Sequence, residues 1–550
     1  MINIEEKCQQ PQGTLLDPCV DLPIDKKTLL EVTEKAKDWA IMHGAAMRSK
    51  SKYDPDALYF APFVLFPSPF PRREFARATK LQPILNELMH RVAYDEEFLR
   101  TTLAETVQVD EFTANLFELY EHVLKTGFVQ VIICLGLWQV YFENQLTPQH
   151  YIPHFPKTPR YLSVHLHYIF NFFVATLENT GMGCEEPVSL GLIRSDIMLE
   201  TRCPDGGVAP PSAYCCWKQV EINTIASGFG HLGPASKDVF VVLLWILQYN
   251  SLPRNTALHD LCAGMIKAWE MGKRSGVILF VIEDVSYNIC DQRFHEYEIK
   301  RLRPDVKVIR RTLTEIYNQG TVNSQQELIV DEKLVNVVYF RAGYEPGHYP
   351  TKNEWTARKL IECSKAIKCP SIQYHLAGTK KVQQALAAPG ILKRFLKDEQ
   401  KIESVKEIFT GLYSLDNNEV GNKAYKMALA TPERFVLKPQ REGGGNNVYG
   451  LDIPPVLKKM STVERSSWIL MERIHPPITK GYMVRPGGPM PPPISEMVSE
   501  LGIFGVIIGD SSRIIENYQA GHMLRTKLAT ANEGGVAAGL GALDSPYLVD

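Results

Sequence analysis

The chain has 550 residues, 45% hydrophobic and 22% charged, and its 60 Lys plus Arg nearly balance its 62 Asp plus Glu. That length calls for two or three lobes rather than one simple core, and the charge balance lacks the basic excess of a nucleic-acid binder. The most apolar runs, VFVVLLWIL at Val239–Leu247 and YIFNFFVATL at Tyr168–Leu177, fall far short of the roughly 20 residues of a membrane span.

The opening MINIEEKCQQPQG has no apolar secretory core. The 11 cysteines include no CxxC pair, which reads as free thiols in a reducing compartment. A cytoplasmic protein with no membrane and no nucleic-acid partner is therefore expected.

Residues 1–60 are mostly polar, with an amphipathic helix predicted at Lys27–Met47. Ala61–Arg72 is proline-rich and reads as extended. Asp110–Gly127 reads as a helix: Phe112, Leu116, Leu119, Tyr120, Val123 and Leu124 form one stripe, with Asp110 as N-cap and Gly127 as the stop. Val129–Leu137 reads as a buried strand. Trp138–Leu192 is rich in His, Tyr, Phe and Pro, and it lies between two copies of Leu-Gly-Leu, at 135–137 and 190–192.

Gln219–Ile225 alternates as a strand with Glu221 and Asn223 on one face. Leu261–Gly272 and Asp291–Arg301 read as helices, and Val277–Ile282, Val306–Ile309 and Val335–Phe340 as strands. That alternation predicts a small parallel sheet. Val405–Leu412 and Lys423–Ala430 read as helices. Trp468–Met471 and Leu501–Ile508 read as strands continuing an antiparallel sheet with Phe435–Leu437. Pro486–Pro493 reads as a mobile loop.

The most informative stretch is RFVLKPQREGGGNNVYG at Arg434–Gly450. A short apolar strand ends at Lys438, Glu442 follows, and then come Gly443, Gly444 and Gly445. Three consecutive glycines are costly in any regular element. They suit a loop whose backbone N–H groups close around phosphate, with an ammonium before it and a Mg²⁺-binding carboxylate inside it. A flexible surface turn is the alternative. No Gly-Lys-Ser/Thr follows, so this is not a Walker loop.

KPQREGGGNN, together with GTKKVQQ at Gly378–Gln384 and GHMLRTK at Gly521–Lys527, closely resembles the eukaryotic-type glutathione synthetases, which are ATP-grasp ligases. The resemblance runs from about Ala61 to Val549. It implies an α/β (α+β) chain of ATP-grasp architecture, with an antiparallel sheet and helices, a small parallel-sheet substrate domain and a glycine-rich lid. The implied division is 1–275 for the N-terminal part of the main domain, 276–378 for the substrate domain and 379–550 for the nucleotide and lid region. Because the family runs directly from Leu-Gly-Leu into a segment like Ile193-Arg194-Ser195-Asp196, residues 138–192 look like an insertion, either real or unspliced intron.

The resemblance also implies roles. Lys438, Glu442 and Arg525 would carry the chemistry. Glu221, Lys380, Lys438, Gly443–Gly445, Asn447, Tyr449, Met471, Glu472, Arg473, Ile474, Glu500, Lys527 and Glu533 would bind ATP, with Met471–Ile474 meeting adenine through the backbone. Glu221, Asn223 and Glu442 would hold Mg²⁺, two ions per site. Arg194, Ile225, Ala226, Ser227, Gly228, Asn288, Gln292, Arg341, Tyr344, Arg525, Val536 and Ala537 would bind the dipeptide. One departure stands out: the family places serines where this chain has Ala226 and Gly228, with Ser227 between them.

The implied reaction is ATP-dependent ligation of γ-glutamylcysteine with glycine through an acyl phosphate, by a homodimer. A ligase using another acceptor such as β-alanine or serine is one alternative. A nucleotide-binding relative with a decayed site is the other.

Overall fold

The computed structural model describes residues 15–49, 52–125, 188–202, 216–240, 251–441, 445–536 and 540–550. The chain divides into two compact units, one joining Met1–Phe117 to Val188–Asp550 and the other comprising Glu118–Pro187. Of the second unit only 118–125 are described, as the end of a helix over 111–125. Leu116, Leu119 and Tyr120 of that helix are buried, and the Asp110 carboxylate caps it by accepting from Thr113 N at 2.7 Å. Val129–Leu137 and residues 138–187 lie outside the described residues.

Among the described residues the first unit is a mixed α/β body built on three large sheets and two two-stranded ones. The largest has eight strands in the order Leu15–Leu16, Ile478–Val484, Phe63–Val64, Gly541–Asp544, Ile514–Leu528, Ile494–Gly509, Ser189–Glu200, Cys216–Asn223. Its spine is the long hairpin of Ile494–Gly509 and Ile514–Leu528. The Asp510 carboxylate fastens the turn by accepting from Ser512 N and Arg513 N at 2.9 and 3.0 Å. Leu501–Ile508, expected beside Phe435–Leu437, belongs to this spine instead. Its side chains are buried on both faces, as a central strand flanked by two long neighbours requires.

The second sheet carries three parallel neighbours, Val308–Arg311, Val277–Val281 and Lys333–Phe340. Ile367–Cys369 adds in parallel to Lys333–Phe340. The third sheet is antiparallel, ordered Leu412–Ser414, Trp468–Glu472, Phe435–Pro439, Val448–Tyr449.

Two predicted helices end four or five residues early. The first runs Lys26–Met42, and Gly44 at φ +75° turns the chain so that Ala46–Met47 pairs with Tyr59–Phe60. The helix expected at Val405–Leu412 is Glu399–Ile408, followed by the Leu412–Ser414 strand. Gly411 forces that change: its carbonyl accepts from Glu472 N at 2.8 Å, and a Cβ there would lie 2.6 Å from Glu472 Cδ. Pro486–Pro493 bridges the Ile478–Val484 and Ile494–Gly509 strands.

The end of the presumed insertion needs correcting. Ser189–Leu192 is not an excursion, because it pairs with Gly509–Val506 in the central sheet and is wholly buried. Gly191 is required there, since a Cβ would sit 2.8 Å from both Ile507 Cγ2 and Tyr374 Cε1. Joining Leu137 to Ile193 would present the identical tripeptide Leu135-Gly136-Leu137 to the same register. That deletion is expected to yield soluble, folded protein, because loop length alone costs little. Insoluble or unfolded protein would show that residues 138–187 are integral.

Among the described residues five histidines of this unit are buried without a carboxylate bonded to their rings, His90, His231, His295, His375 and His522, and burial lowers all five. Burial holds His90 and His231 down to about 4, and His522 down to about 3. Between their ordinary value of 6.5 and those depressed values the unfolded chain binds more protons than the native one, so acidification favours unfolding. The thermal midpoint is therefore expected to fall steadily from pH 6.5 to pH 4. A flat profile across that window would contradict the neutral, buried state of these rings.

Candidate active site

A cavity of about 1070 Å³ opens where the three sheets meet. One end lies outside the carboxyl ends of Val277–Val281 and Lys333–Phe340. The chain leaves Val277–Val281 for a neighbour on one side, Val308–Arg311, and later adds Lys333–Phe340 on the other. Such a switch point leaves a crevice between diverging connections. Glu283, Tyr287, Asn288 and Asp291 enter it from the first strand's connection, and Arg341, Tyr344 and Glu345 from the second.

Two strands of the large sheet supply the middle of the cavity. Arg194 and Asp196 alternate onto one face and form a two-pronged pair, Nε–Oδ1 at 2.6 Å and Nη2–Oδ2 at 2.7 Å. Arg194 Nη1 also donates to Gly228 O at 3.0 Å. On the neighbouring strand Glu221 and Asn223 share a face, as the alternation predicts, and Asn223 Nδ2 donates to Asp196 Oδ2 at 3.0 Å. Arg525 reaches the same point from the other side, bonded to Glu500 and 3.4 Å from Asp196 Oδ2.

The two lysines converge on Glu221. Lys380 Nζ lies 3.9 Å from its carboxylate and donates to Arg441 O at 2.6 Å. Lys438, at the end of its strand, donates to Val220 O at 2.9 Å. Burial pushes the Glu221 carboxyl up, but Lys380, Lys438, Arg525 and Arg194 outweigh it and hold the group down to about 2. Asp196 and Glu500 pair with Arg194 and Arg525, so four cations meet three carboxylates, and a polyphosphate would balance the remaining positive charge.

At the far end Tyr449 donates to Glu533 Oε1 at 3.2 Å, and Gly445 N to Glu533 Oε2 at 2.8 Å. Lys527 Nζ donates to Asn532 O at 2.6 Å. Met471, Glu472, Arg473, Ile474 and Asn447 line the same region, as does Val536. The N–H groups of Glu472 and Arg473 are taken by Gly411 O and Arg434 O, so those two are not the amides a base would use.

Of the expected residues, three described ones do not line the cavity. The Ser227 hydroxyl donates to Leu192 O at 3.1 Å and Asn223 O at 3.2 Å. It braces the loop rather than replacing the absent serines. Gln292 is buried among Asn288, Ser286 and Arg310. Gly445 stands at the rim with φ +80° and open space around it. Ile225 and Ala226 line the cavity, Ala226 at φ +49°, a conformation costly for any side chain but glycine's. Glu442, Gly443, Gly444 and Ala537 lie outside the described residues.

The sequence reading missed the carboxylates that hold the arginines. Asp291 is buried, pairs with Arg341 at 3.2 Å, and accepts from Phe229 N, His231 N and Leu232 N. It thereby fixes both the Ala226–Phe229 loop and the arginine. Gly228 lies under that pair, since a Cβ there would sit 3.2 Å from Arg341 Nη2. Asp196 was legible, two residues from Arg194 on a strand and so on the same face. Nothing local in the sequence pairs Asp291 with Arg341.

The family model for the eukaryotic glutathione synthase ATP-binding domain matches residues 26–142 and 165–548. The gap between the two matched segments falls inside 138–192. The chain is 37% identical to the glutathione synthetase of Xenopus laevis over 537 residues, 96% of this chain and 99% of that one. It is 37% identical to that of Homo sapiens, covering 96% and 98%. The chloroplastic enzyme of Solanum lycopersicum is 34% identical, covering 96% and 85%. In fold it is similar to a glutathione synthetase-like effector of Globodera pallida, with a TM-score of 0.67 and 24% identity over 96% of this chain and 98% of that one. The chain belongs to the eukaryotic glutathione synthases.

Proposed function

We propose that the protein ligates γ-glutamylcysteine to glycine at the expense of ATP. The observation that carries this reading is the convergence of Lys380, Lys438, Arg525 and Arg194 on Glu221. The same cavity is lined by Met471–Ile474 and Tyr449 as well as by Arg341, Asn288 and Tyr344. A carboxylate resists attack by an amine, so the peptide's cysteinyl carboxylate first needs a leaving group. Its oxygen attacks the γ-phosphorus of ATP and ADP departs. The glycine nitrogen then adds to the acyl carbon, the C–O bond to phosphate breaks, and the amine gives up a proton.

The protein's share is position and charge. Lys380 and Lys438 neutralise the transferring phosphoryl oxygens, and Arg525 holds the reacting carboxylate beside them. Arg341, and the Nη hydrogens of Arg194 that Asp196 leaves over, would hold the remaining carboxylates. Gly534–Gly535 and Val536 reach the cavity from the second glycine-rich segment and would shield the acyl phosphate from water.

Glu221 and Asn223 fit a Mg²⁺ ion: Glu221 stays ionised, and Asn223 spends its N–H on Asp196, leaving its carbonyl oxygen. Glu442 would join them. Among the described residues no three His, Cys, Asp or Glu side chains form a metal cage, which suits an ion shared with phosphates. Bound there, Mg²⁺ would supply charge neutralisation to the triphosphate, with two ions per site.

A cytoplasmic homodimer completes the proposal, with the three-part division at 275 and 378. Free Cys19, Cys216, Cys262, Cys290, Cys363 and Cys369 support a reducing compartment. Among the described residues no helix is long and apolar enough to cross a membrane. The test is phosphate release from ATP with γ-glutamylcysteine and a panel of glycine, β-alanine and serine. Release and a tripeptide product with glycine support the reading. Nucleotide binding without release would support the decayed relative.

A further inference from the structure

We infer that Glu283 receives the α-ammonium group of the donor peptide's γ-glutamyl end, with Arg341 as the cation for the adjoining α-carboxylate. The inference rests on the ligase reading above and adds a residue and a chemical role to it. A γ-linked glutamyl group keeps both charges of a free amino acid. A crevice that selects it needs one anion and one cation, each with a free bonding position.

The crevice offers three carboxylates. Asp291 has no capacity left, because both its oxygens already accept: Oδ1 from His231 N and Leu232 N, and Oδ2 from Phe229 N and Arg341. Glu345 is 47% exposed and stands 3.7 Å from His348 Nε2, at the rim. Glu283 is 18% exposed and lines the cavity. Its Oε1 accepts from Tyr344 OH at 2.9 Å and lies 3.2 Å from His348 Nε2. Among the described residues Oε2 has no hydrogen-bond partner. Tyr344 and His348 thus fix the carboxylate through one oxygen and leave the other for a ligand. Burial pushes the Glu283 carboxyl up, but His348, Tyr344 and Arg341 outweigh it and keep the group ionised.

The other source of an ammonium is the acceptor glycine, and the experiment separates the two. Full-chain wild type and Glu283→Gln are compared on γ-glutamylcysteine and on glutarylcysteine, which has the same chain without the α-ammonium. Wild type is expected to prefer the natural peptide by about 10- to 100-fold in kcat/KM, the worth of a charged hydrogen bond. In Glu283→Gln that preference should collapse to within about threefold, through KM for the peptide, while KM for glycine and Kd for ATP stay level. Glu283→Asp should restore part of it, which a merely structural role would not do. An unchanged preference in Glu283→Gln overturns the assignment, and so does a change confined to KM for glycine. A wild type that ligates neither peptide would remove the ligase reading and this one together.

Discussion

Lys438→Met is expected to lower ligation kcat by about 100- to 1000-fold, the usual loss when one preorganised charge is withdrawn from a transition state. The substitution keeps an unbranched stem in a buried position and removes only the charge. Lys380, Arg525 and Arg194 still face Glu221, so the fold should hold and the thermal midpoint should move by only a few degrees. The check pairs single-turnover product formation with a melting curve. Turnover near wild type would mean that Lys438 serves Glu221 and Val220 alone and never meets phosphate.

Arg525→Ala is the second large effect, and it differs in kind. Arg525 bridges Glu500 and Asp196, both buried. Its loss removes the cation that joins the two carboxylates, leaving Arg194 beside Asp196 and Lys527 facing Glu500. Removing one partner of such a buried cluster costs about 3–5 kcal/mol, so this variant should melt well below wild type. In the fraction that folds, kcat/KM for γ-glutamylcysteine should drop by more than about 100-fold, because the reacting carboxylate loses its fork. Arg525→Lys should recover stability before activity, since a point charge balances Glu500 but cannot present two donors. Equal recovery of both would assign Arg525 a structural role only.

Much of this was legible in the residues. Lys438 at the end of a short apolar strand and Glu221 and Asn223 at alternate positions follow from local pattern, whereas Arg525 and Lys527 came from the resemblance of GHMLRTK. What escaped has a common cause: it depends on partners distant in sequence. Leu501–Ile508 reads as an apolar strand anywhere, and only its neighbours at Ser189–Glu200 and Ile514–Leu528 decide which sheet it joins. What the Ser227 hydroxyl does, beside Ala226 and Gly228, depends on the loop, which sets its acceptors as Leu192 O and Asn223 O. The three arginines look alike in sequence, yet each is matched by a different buried carboxylate. The Leu-Gly-Leu duplication marked 138–192 as inserted, but the pocket under Ile507 and Tyr374 asks only for a glycine, which both copies supply, so the tripeptide alone does not say which copy pairs in the sheet.

The most direct test of the ligase reading follows an oxygen atom. γ-Glutamylcysteine labelled with ¹⁸O in its cysteinyl carboxylate is incubated with the full chain, ATP, Mg²⁺ and glycine, and the released phosphate is analysed by mass. An acyl phosphate intermediate transfers one labelled oxygen to each phosphate formed, in step with tripeptide. Unlabelled phosphate, or phosphate released at the same rate without the peptide, would contradict the account.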